Sequence, residues 1–286
     1  MSSYRPPLAL NLLGGYLAEE GCPLVFVPLE PGPTVEIEEG DKVSIEGLAV
    51  VPGRLRKLAM ALAREAGAEG LVVRVKTPPR GVPELSLESA VLASLFEYFE
   101  QDEEDVVLFV ERVAGEGERG VLAGGIVASL LRAPIAYRLG EGFVELEQGF
   151  EEIHVLLALE EMYTPLGETL SKVRYLKEEY GRVFEPLFHA FCRLAIEVAE
   201  CLRSGDLGEL RLMLSIAHRI LSSSGLSDPE LDGLVLELEE RGLAAKAAEY
   251  EQRGVLAVSG DGRELQRARL SESVETCTLK WRRGGA

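Results

Sequence analysis

Hydrophobic and polar positions along the first half of the chain predict a mixture of strands and helices. Short apolar runs bounded by turn residues are typical of strands, and they fall at residues 8–13, 24–29, 71–76, 135–138 and 143–146. Residues 35–37 and 43–45 alternate around an acidic turn and predict a hairpin. Apolar residues spaced three to four positions apart predict amphipathic helices at residues 55–66, 87–99, 106–113 and 121–131. Ser86 is expected to cap the second of these helices through its hydroxyl.

The second half has longer helical patterns. A strand at residues 153–159 is followed by predicted helices at 166–179, 184–204, 207–224 and 229–241. Asp206 is expected to cap the third of these, and Ser227 or Asp228 the fourth, which has Pro229 in its first turn. The pattern ends with short strands at 244–248, 255–258 and 274–279 and a short helix near 263–270. We therefore expect an α/β protein of two domains, residues 1–150 and residues 151–286.

Composition narrows the class of partner. The net charge of −18 repels nucleic acid and anionic membranes, since both are polyanions that need Lys and Arg to displace their counterions. No apolar run approaches the roughly 20 residues of a membrane span, and the N-terminus lacks an apolar signal core. The four cysteines show no metal-binding spacing. These features favour a reduced, cytoplasmic protein without a bound metal, and helices rich in Glu and Arg fit a thermophile.

A run in the last quarter of the chain combines well-matched flanks with an altered centre. It reads Lys246-Ala247-Ala248-Glu249-Tyr250-Glu251-Gln252-Arg253-Gly254. With the helical segment from residue 206 and the apolar residues 255–258, it resembles the C-terminal part of the GHMP small-molecule kinases, closest to the mevalonate-kinase branch. In that family the residues after the lysine are glycines that close over the phosphates of ATP. Here Gly254 is the one motif glycine that remains.

The order of elements resembles the same family over nearly the whole chain. The resemblance implies an α/β (α+β) fold of two domains. The N-terminal domain would resemble the ribosomal-protein-like left-handed β-α-β fold, and the C-terminal domain a ferredoxin-like sheet covered by helices.

The first family motif, Ala-Pro-Gly-Lys followed by Gly-Glu-His, matches residues 6–9 and 14–16. The motif lysine falls on Ala9, and the Glu-His pair falls on Gly15-Tyr16. The resemblance therefore implies that a cation near the phosphates is missing.

The second motif, Gly-Leu-Gly-Ser-Ser-Ala with a proline before it, matches residues 82–91. Ser89-Ala90 remains, whereas Leu85 and Leu87 stand at the two glycines of the motif, with Pro83 two positions before the first of them. Side chains at those positions prevent close approach of the backbone to a phosphate. Glu84 and Glu88 add negative charge where a helix N-terminus would otherwise attract an anion.

The catalytic aspartate of the mevalonate-kinase branch falls on Gly125, and no acidic residue lies between Arg119 and Gly140. A general base needs an ionisable group within reach of the substrate hydroxyl, so no catalytic residue is predicted.

Two sets of candidate residues follow from the resemblance. The degenerate phosphate-loop positions are Ser86, Ser89, Lys246 and Gly254. The candidate ligand pocket holds Glu84, Glu88, Thr164, Glu249 and Arg253. The four glutamates at 84, 88, 249 and 251 would face one cleft, where clustered carboxylates raise each other's pKa or bind a cation.

Plainer roles remain open for each candidate. The glutamates would equally be solvated loop and helix-cap residues. Arg119, Arg253 and Lys246 would hold an anion or form ordinary ion pairs. His154, His189 and His218 fit helix packing or the surface, and Thr164 is either a pocket contact or an N-cap before Pro165.

Four altered motifs favour a mevalonate-kinase-like protein without phosphotransfer. Such a protein would bind a small-molecule metabolite or a protein partner, for example an intact paralogue, and would form a homodimer if it follows its family. No cofactor is predicted. The alternative is an ATP-dependent small-molecule kinase or decarboxylase of the isoprenoid pathway with a rebuilt nucleotide site, and only this alternative requires ATP and Mg²⁺.

Overall fold

A computed structural model describes residues 1–76, 81–147, 149–163, 166–249, 252–267 and 275–282. Within them the fold is a mixture of helices and strands, as the sequence predicts. The strands are β1 Ser2–Tyr4, β2 Leu8–Leu13, β3 Leu24–Leu29, β4 Thr34–Glu39, β5 Ser44–Glu46, β6 Leu71–Lys76, β7 Ile135–Arg138, β8 Gly142–Glu145, β9 Glu152–Tyr163, β10 Ala244–Ala247, β11 Gln252–Ser259 and β12 Glu275–Arg282.

The helices differ from their predicted bounds by a few residues at each end. They are α1 Gly53–Glu65, α2 Glu84–Tyr98, α3 Glu103–Val113, α4 Arg119–Leu131, α5 Leu166–Ser204, α6 Leu207–Ser223, α7 Pro229–Glu240 and α8 Gly262–Arg267, with a 3₁₀ helix at Gly15–Glu20. Among the described residues, none of these helices combines the length and the apolar character of a membrane-crossing segment.

Two four-stranded sheets form the first half, in the orders β1-β4-β6-β5 and β2-β3-β7-β8. The predicted hairpin between β4 and β5 is wrong, because β6 lies between them and pairs antiparallel with β4 and parallel with β5. The turn after β4 packs against Gly70, where a Cβ would lie 2.2 Å from the Lys42 nitrogen. Alternation within two short strands cannot show that a third strand from 25 residues further on inserts between them.

A third sheet, in the order β10-β11-β9-β12, is antiparallel throughout. Apolar residues of α5, α6 and α7 pack against it in one continuous core. The two helices predicted at 166–179 and 184–204 together form α5, and a kink divides them where Tyr180 leaves helical geometry (φ −127°, ψ 24°), which confirms the division. Pro186 then removes one helical hydrogen bond, which also favours bending in this region.

Helix starts follow the predictions in two cases and depart in one. Asp206 and Asp228 cap α6 and α7 by accepting hydrogen bonds from backbone N–H groups of the first turn, which confirms both. The prediction that Ser86 is an N-cap is wrong. Helix α2 begins at Glu84 after Pro83, and Ser86 is a buried residue inside it. Proline is well placed just before a helix because its φ is already fixed near the helical value.

Backbone hydrogen bonds and apolar packing both join the two halves of the chain. Glu30, after β3, and Lys280, in β12, exchange a pair of backbone hydrogen bonds of 2.7 and 3.0 Å. The apolar core of the third sheet also includes residues of β2 and β3, such as Leu10 and Val25. The division at residue 150 stays a prediction. The contacts across it bring the segment after β10 against the 3₁₀ helix that follows β2.

Candidate functional site

Lys246 lies at the centre of the region that carries the altered motifs. Its side chain is 0% exposed on β10, with Nζ 2.9 Å from Oε1 of Glu249 and donating a 2.8 Å hydrogen bond to the carbonyl oxygen of Ala247. Burial lowers the pKa of Lys246, while the Glu249 carboxylate opposes that shift. The lysine charge is therefore neutralised inside the protein by a residue three positions further along.

Glu249 also fixes the segment after β10 to the 3₁₀ helix. Its Oε2 accepts a 3.1 Å hydrogen bond from the backbone N–H of Tyr16, and the Tyr16 hydroxyl donates to the carbonyl oxygen of Ala248 at 3.1 Å. Burial, and then the Glu249 carboxylate, raise the pKa of Tyr16 well above its ordinary value. The Glu249 carboxylate thus accepts a hydrogen bond from a backbone N–H in the first turn of the 3₁₀ helix. Free N–H groups at the start of a helix are suited to binding an anion.

Gly15 explains how the two segments come so close. A Cβ at this position would lie 3.1 Å from the backbone oxygen of Glu249 and 2.9 Å from Oδ1 of Asn11. A larger residue would therefore push the segment after β10 away. In the resemblance described above, this is the position at which family members have glutamate.

His218 supports the same segment from the other side. Its Nδ1 accepts a 3.3 Å hydrogen bond from the Ala247 N–H, and its Nε2 lies 3.3 Å from Oδ1 of Asp232 on α7. The hydroxyls of Ser222 and Ser227 donate to the same carboxylate at 2.6 and 2.7 Å. Burial is the largest cause that lowers the pKa of His218. The sequence allowed helix packing for this histidine but gave no signal for its bonds, since their partners are 14 and 29 residues away.

Glu88 is the second buried carboxylate among the candidate residues. It is 1% exposed on α2, and Nε of Arg54 on α1 lies 2.6 Å from its Oε2. Nη1 of the same arginine lies 3.1 Å from Glu118, just before α4. The alternative that the glutamates are solvated therefore fails for Glu88 and Glu249, while Glu84, the first residue of α2, is half-buried.

Ser89 fills the position that the family resemblance assigns to a catalytic acid. A Cβ at Gly125 on α4 would lie 2.5 Å from Oγ of Ser89 and 3.1 Å from its Cβ. Helices α2 and α4 therefore pack too closely here for a carboxylate side chain. Ala9, where the motif lysine would fall, is buried among apolar residues that include Phe26.

The remaining candidates are only partly described. Gly254 is buried in β11 and pairs with Leu159, and its carbonyl accepts a 2.8 Å hydrogen bond from the Ala248 N–H. It closes the turn after β10. Arg119 is half-buried as the first residue of α4. Thr164, Tyr250, Glu251 and the side chain of Arg253 lie outside the described residues. The structure thus brings Lys246, Glu249 and Gly254 together where the end of β10 lies beside β11, and separately packs Ser89 against Gly125.

Comparisons with known proteins agree with this arrangement of elements. No family model matches the chain. A mevalonate kinase of Archaeoglobus fulgidus is 32% identical over 80 residues, which are 28% of this chain and 27% of the relative. A mevalonate kinase of Aeropyrum pernix is 29% identical over 139 residues, which are 47% of this chain and 43% of the relative. The matched segments thus span less than half of either relative.

The likeness in three dimensions is more complete. A crystal structure of L. major mevalonate kinase in complex with R-mevalonate superposes with a TM-score of 0.79, covering 100% of this chain and 97% of that one at 17% identity. At this identity the match establishes the fold. The chain has the fold of the GHMP kinase superfamily. It is similar in sequence, over part of its length, and in fold to mevalonate kinases.

Proposed function

We propose that this chain is a mevalonate-kinase-like protein without phosphotransfer, which acts by binding a metabolite or a protein partner on a retained kinase scaffold. The observation that carries the proposal is the buried contact of Glu249 with both Lys246 and the Tyr16 N–H. The lysine and the N–H are groups that would attract a phosphate, and one carboxylate of the same chain satisfies both.

Charge and shape support the same proposal at the other motif positions. Phosphoryl transfer depends on positioning and on neutralising the charge of the transferred group. At the matching positions, Glu88 holds Arg54, and Gly125 has no room for an acid beside Ser89. The described residues therefore fit a nucleoside triphosphate with Mg²⁺ poorly, because a triphosphate would meet carboxylates where it needs donors and cations.

A phosphotransfer assay tests this proposal. Purified protein is incubated with Mg-ATP and R-mevalonate, and ADP is measured by a coupled assay, with an active mevalonate kinase in the same buffer as the positive control. We expect no ADP above the rate without protein. Mevalonate-dependent ADP release at about 1–100 s⁻¹, the usual range for kinases, would overturn the proposal.

Binding is tested separately, by the thermal midpoint of unfolding. A ligand that binds only the folded state raises this midpoint, and the rise grows with the logarithm of the ligand concentration once that exceeds the Kd. R-mevalonate is the first metabolite to test, because it is bound in the similar L. major structure. A rise with R-mevalonate and none with Mg-ATP would support metabolite binding. No rise with either would argue against binding of these two ligands and would leave a protein partner, for example an intact paralogue, to be tested by affinity capture.

A working enzyme with a rebuilt nucleotide site is the alternative. It is favoured by the match of the complete fold, which covers 100% of the chain. Under this alternative, ATP and Mg²⁺ would bind through residues other than the family motifs, and the ADP assay above distinguishes the two proposals.

A further inference from the structure

Two of the four cysteines form a pair that their spacing conceals. Cys22 follows the 3₁₀ helix and is fully buried, and Cys192 lies on α5 and is half-buried. Both belong to the same apolar core, and α5 packs directly on the 3₁₀ helix and on β3. The two side chains influence each other in this core although 170 residues separate them in the chain.

We propose that Cys22 and Cys192 are a redox modification site, which a low-molecular-weight disulfide such as oxidised glutathione converts to an internal disulfide. The proposal does not depend on whether the protein transfers phosphate. It assigns different roles to the two thiols, with Cys192 as the attacking group and Cys22 as the resolving group.

The environment of each thiol supports this order. Cys192 is partly open to solvent, whereas Cys22 has no exposed surface. The hydrogen bond with Cys22 is the largest cause that lowers the pKa of Cys192, and burial opposes it. The same hydrogen bond and burial raise the pKa of Cys22. Since the thiolate is the nucleophile in disulfide exchange, Cys192 is the better initial nucleophile.

The reaction then takes two balanced steps. The Cys192 thiolate attacks one sulfur of the small disulfide, forms a mixed disulfide and releases one small thiolate. Cys22 loses its proton to solvent or to that released thiolate, and its sulfur attacks Sγ of Cys192. The second small thiolate leaves, so two protein thiols are oxidised as one small disulfide is reduced to two thiols.

The bond would connect the two halves of the molecule beside the altered motifs. Cys22 ends the turn that follows the 3₁₀ helix, and Tyr16 of that helix holds Glu249 and Ala248. Cys192 belongs to the long helix of the second half. Oxidation would therefore fix the 3₁₀ helix against α5 and raise the thermal midpoint of unfolding, because the crosslink restricts the unfolded chain.

The test is oxidation of the native full-length protein with oxidised glutathione, followed by alkylation, non-reducing digestion and mass spectrometry. We expect a Cys22–Cys192 crosslinked peptide and the loss of two thiols together, reversed by dithiothreitol. Cys22→Ser should keep a glutathione adduct on Cys192, whereas Cys192→Ser should leave Cys22 unmodified. Cys201→Ser is the matched control, because burial raises the pKa of Cys201 to about 11. This variant should form the same crosslink as the wild type.

Three results would overturn the proposal. The first is a glutathione adduct that stays on Cys192 in the wild-type protein, which would mean that Cys22 does not resolve it. The second is a crosslink that uses Cys201 or Cys277 instead. The third is native protein that remains fully reduced under conditions that oxidise its urea-unfolded form. All three are read on the wild-type chain, so a variant that fails to fold does not weaken the test.

Discussion

A lysine ammonium with no exposure to water is the most unusual single feature of this molecule. Removing two charges from water costs several kcal/mol for each ion, and their mutual attraction repays this only with good geometry and further hydrogen bonds. Lys246 has both, through Glu249 at 2.9 Å and the Ala247 carbonyl at 2.8 Å. The backbone N–H of Tyr16 donates a hydrogen bond to the other carboxylate oxygen of Glu249. The charged forms of Lys246 and Glu249 therefore depend on each other for stabilisation inside the protein.

This dependence predicts the energetics of a double-mutant cycle. Lys246→Met or Glu249→Gln alone should lower the free energy of unfolding by about 3–5 kcal/mol, because each leaves one buried charge without its partner. The double variant should lose much less than the sum of the two. Urea unfolding of the four proteins measures this coupling. Glu197→Gln, in the exposed pair with Arg193, is the control and should change stability by about 0.5 kcal/mol or less.

His218 predicts a pH dependence of stability. Burial lowers its pKa from 6.5, so the folded state holds this side chain neutral and the unfolded state binds a proton more readily. Its contribution is fully present above pH 6.5 and is lost as the pH falls toward the folded-state pKa. The slope reaches about 1.4 kcal/mol per pH unit at most. The charged groups that influence it are Asp232, Lys246, Arg219 and Glu239.

Urea unfolding between pH 8 and pH 5 measures this slope. The variant His218→Gln should be less stable at pH 8 and should lose stability less steeply below pH 6.5. A slope in that range equal to the wild-type slope would show that other groups cause the acid sensitivity.

The sequence anticipated these residues unevenly. The run from Lys246 to Gly254 could be aligned with the family motif without gaps, because a motif consists of consecutive residues and can be recognised in the sequence alone. It did not indicate that Glu249 would turn inward, since this depends on Tyr16, which lies 233 residues away. Contacts of that kind depend on tertiary packing, and no local pattern reports them.

At the scale of elements, the close packing of α2 on α4 is the feature that most limits the site. Gly125 lets Ser89 approach to a distance that no Cβ would allow. We predict that Gly125→Ala lowers the free energy of unfolding by about 1–3 kcal/mol through overpacking. In Gly233→Ala, the matched helical variant on α7, the new Cβ has no neighbour within 4 Å. That variant should gain up to about 1 kcal/mol from helix propensity.

The free energies of unfolding of Gly125→Ala and Gly233→Ala, measured by calorimetry or in urea, test how closely α2 and α4 pack. Equal effects at the two positions would mean that α2 and α4 can separate without cost. Position 125, where the family resemblance places a catalytic aspartate, would then have room for a side chain, and Gly125→Asp would fold normally.

Most elements followed from hydrophobic periodicity, and the exceptions have physical causes. Periodicity predicted two helices within α5, and the kink at Tyr180 separates them. The predicted β4–β5 hairpin was wrong, because strand pairing is non-local and β6 lies between the two strands and pairs with both.

At the scale of the whole molecule, the overall fold resembles that of a mevalonate kinase, whereas the residues around Lys246 support the proposal of a protein without phosphotransfer. The scaffold superposes on a mevalonate kinase with a TM-score of 0.79. The resemblance of the motif flanks was enough to predict that fold, because flanking residues pack in the core and set the order of elements. At the proposed site, Lys246, Glu249 and the Tyr16 N–H bind one another, and this arrangement supports the proposal that phosphotransfer is absent.

Titration of Mg-ATP into the purified protein by isothermal calorimetry tests this account most directly. Glu249 occupies both Lys246 and the Tyr16 N–H, and the net charge of −18 adds a general repulsion of anions. We therefore predict no saturable heat up to millimolar nucleotide, with an active mevalonate kinase as the positive control. Saturable binding with a micromolar Kd would contradict the account.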